Sequence, residues 1–200
     1  MCSKSGCYEI RARVDAGRFL YDVSAIDHSQ QRRVVWTNDR LDLWVEGVRT
    51  AIKKDREQTL RDWAMARIYF CFLPFRLNDE SVLKEDLGLE DWQGRSLHKV
   101  KVTFKAGTSS GAEDEYLYWF EPQSGRLEQF AYSFSGDPGG LRFRRAMSFR
   151  RVGEILFFDQ ENLGLDGDGL TVDQVDPSFV STMRRISTVE LRNIRVEALE

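Results

Sequence analysis

Alternation of apolar and polar residues is the feature that most constrains what this chain can fold into. In the segment 97–104, His98, Val100, Val102 and Phe104 share one side, and lysines and a threonine occupy the other. A period of two residues is typical of a β-strand with one buried face. The segment therefore predicts a half-buried strand, and its apolar side includes a histidine.

The same period recurs downstream, and turn residues separate the segments. The further predicted strands are 116–120, 130–134 and 141–149. In the first half, strands are predicted at 8–14, 18–25, 32–37 and 40–46, and a last strand is predicted at 187–197. Connections this short favour an antiparallel meander over crossover helices.

One segment, 56–72, carries apolar residues at helical spacing, and Pro74 ends it. The predicted fold class is therefore α+β: mainly β with one main helix, as a single antiparallel sheet. We expect a single domain over residues 1–200, with 1–7 as a flexible tail. The predicted sheet edges are 40–46 and 187–197, through which a homo-oligomer can form.

Composition excludes several classes of function. The 200 residues include 29 basic and 32 acidic side chains, a net charge of -3 that argues against nucleic acid as a partner. Three cysteines and two histidines exclude a disulfide framework, a cysteine-rich zinc site and a multi-histidine metal site. Phosphate-loop and dinucleotide-binding motifs are missing. We therefore expect no metal and no cofactor.

The N-terminal segment leaves two interpretations open. It has no apolar stretch of the signal-peptide kind in the chain as given. However, Met1-Cys2-Ser3 is also the start of a lipoprotein that is cut at its lipid-bearing cysteine and restarted with Met. Cys2 is thus either a membrane anchor or part of a polar tail in which it can pair with Cys7, while Cys71 is expected to be a small buried hydrophobe.

Aromatic residues point to a binding function. Of the 24 aromatic residues, 12 lie between Phe104 and Phe158, and only one predicted helix is available to cover them. Large side chains on a concave sheet face either fill the space or line a pocket. The predicted ligand-binding residues are Trp63, His98, Phe104, Tyr118, Phe130, Tyr132, Phe143 and Phe149. The ligand would be hydrophobic or lipid-like, and the alternative is a packed interaction domain with no small-molecule ligand.

Three polar features have competing interpretations. His98 is a core histidine bonded to a neighbour, or it serves a hydrolase together with Asp86 or Glu115, although no nucleophile motif accompanies it. The acidic stretch 166–173 fits a solvated loop better than a calcium site. It lies within 164–177, which together with 107–114 is expected to be flexible. For the basic residues of 142–151 the two interpretations are a clamp for a phosphate or lipid headgroup and a solvated strand face.

A series of motifs carries a family resemblance. It comprises YFCFLPFRLND at 69–79, EDLG at 85–88, HKVKVTF at 98–104, EYLYW at 115–119, AYSF at 131–134, LRFR at 141–144 and RRVG at 150–153. Over about 18–196 the chain resembles an uncharacterised family of bacterial secreted proteins and lipoproteins, whose members look like the LolA/LolB lipoprotein carriers. The resemblance implies that the single sheet is strongly curved, half-barrel like and wrapped on the helix. It also implies a periplasmic or outer-membrane location and a lipid-like ligand.

The family has no established catalytic residues, so the resemblance implies a protein that is not an enzyme. This sequence departs from the family pattern at its start. Family members have a signal or lipobox and an amphipathic helix before the first strand, whereas here the first predicted strand begins at Tyr8. The sequence therefore leaves two locations open, the cytoplasm and the cell envelope.

Overall fold

Two antiparallel sheets form the protein, where the sequence predicted a single one. The computed structural model describes residues 1–3, 6–15, 17–26, 31–105, 115–135 and 138–198. Within these ranges the α+β class is confirmed, but the strands divide into a six-stranded and a seven-stranded sheet. The helix and a 3-10 turn, Phe75–Asn78, interrupt the meander between the sixth and seventh strands, so hairpin pairing does not continue across them.

Strand order follows chain order in both sheets. The first contains β1 (Cys2–Ser3), β2 (Gly6–Asp15), β3 (Arg18–Ala25), β4 (Arg32–Thr37), β5 (Leu41–Val45) and β6 (Val48–Thr50). Helix α1 (Glu57–Cys71) follows. The second sheet contains β7 (Val82–Trp92), β8 (Arg95–Phe104), β9 (Glu115–Phe120), β10 (Leu127–Phe134), β11 (Gly140–Val152), β12 (Ile155–Asp166) and β13 (Arg184–Val189), with helix α2 (Pro177–Val180) between the last two.

The chain divides into two compact units. The first comprises Met1–Leu73, Arg150–Phe157 and Val189–Glu200, and the second comprises Pro74–Phe149 and Phe158–Thr188. The chain crosses from one unit to the other within β11 and β12. The single-domain interpretation of residues 1–200 stays a prediction.

The core of the first unit lies between α1 and one face of the six-stranded sheet. Ala64 and Ile68 of the helix, 0% and 1% exposed, pack with Val23 and Val34 of β3 and β4, which are both 0% exposed. The helix begins and ends one residue inside the predicted 56–72 segment. Its apolar stripe therefore faces the sheet as the helical spacing predicted.

The core of the second unit lies on one face of the seven-stranded sheet. Trp92, Leu97, Leu117, Trp119, Ala131, Leu141 and Phe143 pack there with Val172, Val175, Val180 and Met183. The prediction of a flexible segment at 164–177 is wrong because Val172 and Val175, 0% and 3% exposed, are inserted into this core. Most of the other segment expected to be flexible, 107–114, lies outside the described residues.

Residues 1–7, predicted as a tail, include β1 and the first residues of β2. The Met1 amino group donates to the Tyr8 carbonyl at 2.8 Å, and Tyr8 N–H donates back to Met1 at 2.6 Å. Cys7 belongs to a disulfide, and the ladder places Cys2 opposite it. The partly buried Cys71 thiol lies 3.5 Å from the Met1 sulfur.

One predicted edge is wrong. Strand β5, the 40–46 segment, pairs with both β4 and β6 and is therefore internal. Glu46 and Gly47 have φ of 52° and 77°, the geometry of a two-residue hairpin, which adds β6 as a further strand. The other predicted edge, 187–197, is only partly right. Strand β13 (Arg184–Val189) ends the seven-stranded sheet, but it shares only residues 187–189 with the predicted segment, and no strand continues over 191–197.

Candidate ligand-binding face

Seven aromatic side chains lie on one face of the seven-stranded sheet, opposite the core of the second unit. We call this surface the aromatic face: Phe104, Tyr116, Tyr118, Phe120, Phe130, Tyr132 and Phe134. The strand register places Phe130 opposite Tyr118 and Tyr132 opposite Tyr116. Directly opposed residues in an antiparallel pair point to the same face, so the rings of β9 and β10 form one surface.

Ring contacts run without interruption across this surface. Tyr118 stacks on Phe130 with centroids 5.5 Å apart and planes 18° apart, and Tyr116 stacks on Tyr132 at 5.2 Å and 21°. Phe104 meets the edge of Tyr116 at 5.6 Å. Aromatic pairs of this geometry contribute about 0.5–1.5 kcal/mol each beyond their buried area. These stacked and edge-to-face contacts therefore help to hold the aromatic face in one arrangement.

Burial decreases from the centre of the aromatic face to its rim. Tyr118 and Phe130 are 0% exposed, whereas Phe104, Tyr132 and Phe134 are only partly buried. The rim is therefore where a molecule from solvent first meets these rings.

A buried cation adjoins the aromatic face. Arg144 of β11, 8% exposed, donates through Nη1 to Gln160 Oε1 at 2.8 Å and through Nη2 to the Tyr132 hydroxyl at 3.3 Å. Its guanidinium carbon lies 6.0 Å from the centroid of the Phe130 ring. This arrangement combines apolar rings, a hydroxyl and a positive charge, which suits an amphipathic molecule better than a purely apolar one.

The eight predicted ligand-binding residues do not form a single cluster. Phe104, Tyr118, Phe130 and Tyr132 belong to the aromatic face. Phe143 lies on the opposite face, in the core, where it stacks on Trp92 at 5.5 Å and 7°. Its register partner is Ala131, which lies between Phe130 and Tyr132 and therefore points the other way.

The remaining three are placed separately. Phe149 contacts Phe158 with centroids 5.7 Å apart, and Trp63 lies on α1 in the first unit. His98 follows the predicted alternation, since it is opposite Phe120 in the ladder, but its side chain is 41% exposed. The binding roles of all eight residues stay predictions.

His98 is bonded to one of the two carboxylates considered for it. Its Nε2 lies 2.6 Å from Asp86 Oδ1, which also accepts the Gly88 N–H at 2.7 Å. The bonds from Gly88 and His98 hold the pKa of Asp86 below its usual value. Glu115 instead pairs with Lys101 at 3.2 Å.

Two of the three carboxylates in the acidic stretch 166–173 are paired with cations. Asp166 pairs with Arg142 at 2.8 Å and Arg184 at 2.6 Å, and the bonds from these arginines lower the pKa of Asp166. Asp173 lies 3.5 Å from Lys101. Burial opposes the charge of Lys101, but its pairing with Glu115 and Asp173 raises the pKa of the amine. In the part of the chain that the structure describes, no group of three or more potential metal ligands occurs.

The basic residues of 142–151 are likewise occupied. Besides the bonds of Arg142 and Arg144, Arg145 pairs with Glu161 at 2.7 Å. Arg150 donates to the Leu191 carbonyl, and Arg151 donates to that of Glu154 at 3.1 Å. These contacts favour a structural role over the phosphate clamp.

A comparison with known protein families identifies the family of this chain. A family model described as a family of unknown function, DUF6503, matches residues 29–175. The chain belongs to this family. The resemblance to an uncharacterised family is thereby confirmed. No curated protein matches this DUF6503 chain.

Two solved structures are distantly similar to this DUF6503 protein. A LolA superfamily protein from Nitrosomonas europaea is 12% identical with a TM-score of 0.46, over 96% of this chain and 84% of that one. A putative outer membrane lipoprotein-sorting protein domain from Vibrio parahaemolyticus is 8% identical with a TM-score of 0.37, over 86% and 88% of the two chains. Among the described helices of the DUF6503 protein, none is long and apolar enough to span a membrane.

Proposed function

We propose that the protein binds a hydrophobic or lipid-like ligand at the aromatic face of the seven-stranded sheet and catalyses no reaction on it. The observation that carries this proposal is the continuous contact of seven rings on one face of an open sheet. Aromatic side chains dominate small-molecule sites, with few polar groups to orient the ligand. Tyr132 and Arg144 are the polar groups here, and they favour a ligand with one polar end.

We further propose a location in the bacterial cell envelope, in the periplasm or at the outer membrane. The disulfide at Cys7 supports it, because disulfides persist in oxidising compartments and are rare in the cytosol. Anchoring of the protein through a lipid on Cys2 stays a prediction.

Titration with cis-parinaric acid, a fluorescent fatty acid, tests the binding proposal. Phe130→Leu and Phe143→Leu are matched variants, because both side chains are 0% exposed and lie on adjacent strands but on opposite faces. Both are expected to lower the free energy of unfolding by about 1–2 kcal/mol, less than the cost of truncation to alanine. Only Phe130→Leu is expected to weaken fatty-acid binding, by about twofold to tenfold, because it removes the ring that stacks on Tyr118, a contact of about 0.5–1.5 kcal/mol that orders the aromatic face.

Unfolding curves of both variants establish that each is folded at the assay temperature. No saturable binding by the unaltered protein would overturn the proposal and favour the packed interaction domain. Equal weakening by the two variants would place the ligand elsewhere than on the aromatic face.

A hydrolase that depends on His98 is the less supported candidate. The contact with Asp86 supplies the carboxylate that orients a catalytic histidine, as the hypothesis requires. However, the pair lies among exposed side chains, and desolvation is what makes such a pair effective. We therefore favour binding without catalysis.

A further inference from the structure

Trp63 of α1 lies among cations in the first unit. The guanidinium carbon of Arg67 is 4.6 Å from the centroid of the Trp63 ring and 4.8 Å from that of Tyr8. Arg32 of β4 approaches the same Trp63 ring at 5.7 Å, and the rings of Tyr8 and Trp63 meet edge to face at 6.0 Å. Two positive charges are therefore gathered around one indole.

These two charges lack the usual compensation. Among the described residues, neither Arg32 nor Arg67 has a carboxylate within ion-pair distance. Other arginines of the same elements do have a counter-ion. Arg33 of β4 is bonded to Asp22 at 2.8 Å, and Arg61 of α1 pairs with Glu57 at 3.9 Å. Two partly buried guanidiniums without a counter-ion repel each other, and cation–π contacts offset only part of that cost.

The donors of the two guanidiniums are also incompletely used. Arg67 donates through Nη1 to the Trp63 carbonyl at 2.8 Å and through Nη2 to the Tyr8 hydroxyl at 3.3 Å, while its buried Nε–H has no hydrogen-bond acceptor. The Arg32 guanidinium makes no hydrogen bond within the described part of the chain. Arg67 is thus held in a fixed orientation, and Arg32 brings a full set of donors to the same ring.

We propose that Arg32 and Arg67 bind an oxyanion of the phosphate type beside Trp63. The planar guanidinium fork matches two oxygens of a phosphate group, and a dianion or monoanion supplies the missing counter-charge. The indole limits the freedom of both arginines, which lowers the entropic cost of ordering them on the ligand. This inference does not depend on the ligand proposed for the aromatic face.

The same phosphate chemistry has two sources, a soluble phosphate and a phospholipid headgroup. Inorganic phosphate is titrated into the full chain at low ionic strength, and binding is followed by the NMR signals of the arginine Nε–H groups. Arg32→Gln and Arg67→Gln are each expected to weaken binding at least about tenfold, because each removes a charge-assisted contact. Arg13→Gln is the matched control: it removes the same charge from an exposed arginine of β2 and is expected to change the affinity less than about twofold.

A second arm measures sedimentation of the protein with vesicles of phosphatidylglycerol in phosphatidylcholine, against phosphatidylcholine alone. Binding to the anionic vesicles that is lost in Arg32→Gln and kept in Arg13→Gln identifies a lipid headgroup; phosphate binding with no such vesicle binding identifies a soluble phosphate. If Arg67→Gln does not fold, the result for Arg32→Gln is sufficient to test the proposal, because the Arg32 guanidinium makes no hydrogen bond in the described structure that the substitution would break. The proposal is overturned if neither phosphate nor vesicle binding depends on Arg32 more than on Arg13.

Discussion

Glu90 is expected to contribute more to the free energy of unfolding than a partly exposed carboxylate usually does. It sits on β7, and its two oxygens have different partners: Oε1 lies 2.9 Å from Lys99 Nζ, and Oε2 accepts the indole N–H of Trp119 at 2.5 Å. Trp119 is 0% exposed and belongs to the core, so its N–H has no access to water. Replacing Glu90 by leucine leaves that buried donor without this acceptor.

The size of the effect follows from these two contacts. An unsatisfied buried donor costs about 1–3 kcal/mol. The Lys99 pair contributes less, about 0.5 kcal/mol, since the Glu90 side chain is 32% exposed and solvent screens the pair. Glu90→Leu is therefore expected to lower the free energy of unfolding by about 2–3 kcal/mol. Glu90→Gln keeps a carbonyl oxygen for the indole and is expected to cost about 1 kcal/mol or less.

Urea unfolding followed by far-UV circular dichroism measures both variants, and the near-UV spectrum reports the environment of Trp119. The slope of the transition should remain unchanged, because the variants alter the native state and not the surface exposed on unfolding. Equal costs for Glu90→Leu and Glu90→Gln would refute the reasoning, since the loss would then come from the charge and not from the buried indole.

Two further substitutions test the second unit. In Gly140→Ala, the added Cβ would lie 2.9 Å from the backbone carbonyl oxygen of Leu165, which cannot rotate away. We therefore expect the free energy of unfolding in urea to fall by about 1–3 kcal/mol. An unchanged unfolding midpoint would contradict this contact. Arg142 and Arg184 lower the pKa of Asp166, so its carboxylate stabilises the folded state above its unfolded pKa of about 4, and this contribution is lost as the pH falls through the lower folded pKa. Asp166→Asn should therefore destabilise the protein at pH 6 and have a smaller effect at pH 3, and an equal effect at both pH values would argue against the ion pairs.

Sequence patterns predicted the elements whose burial alternates and whose turns are explicit. The bounds of β3 and β4 coincide with the predicted 18–25 and 32–37 segments. Strand β7 was not predicted because its sequence shows no clear period of two. Most of its side chains are exposed and polar, and its register shifts after Asp86. Strand β12 was not predicted because its buried positions include polar Gln160 and Asn162, which are 1% and 8% exposed.

The candidate site was predicted in part for a related reason. Alternation within one strand shows which residues share a face, but not which face of the sheet that is. The register between strands decides it, and register depends on turn geometry and pairing partners. Phe143 was therefore grouped with Phe130, although the ladder sets it beside Ala131 on the opposite face. The burial of Arg144 depends on Gln160, 16 residues away on the next strand, and no local pattern predicts it.

The order of the strands also bears on how the chain assembles during synthesis. Every strand pairs only with its neighbours in the chain, so each pairing closes a short loop, and local pairings of this kind form quickly. The first unit nevertheless includes Val189–Glu200, which leave the ribosome after both segments of the second unit. Its six strands and helix are made early, but the unit becomes complete only when the second unit has already been synthesised.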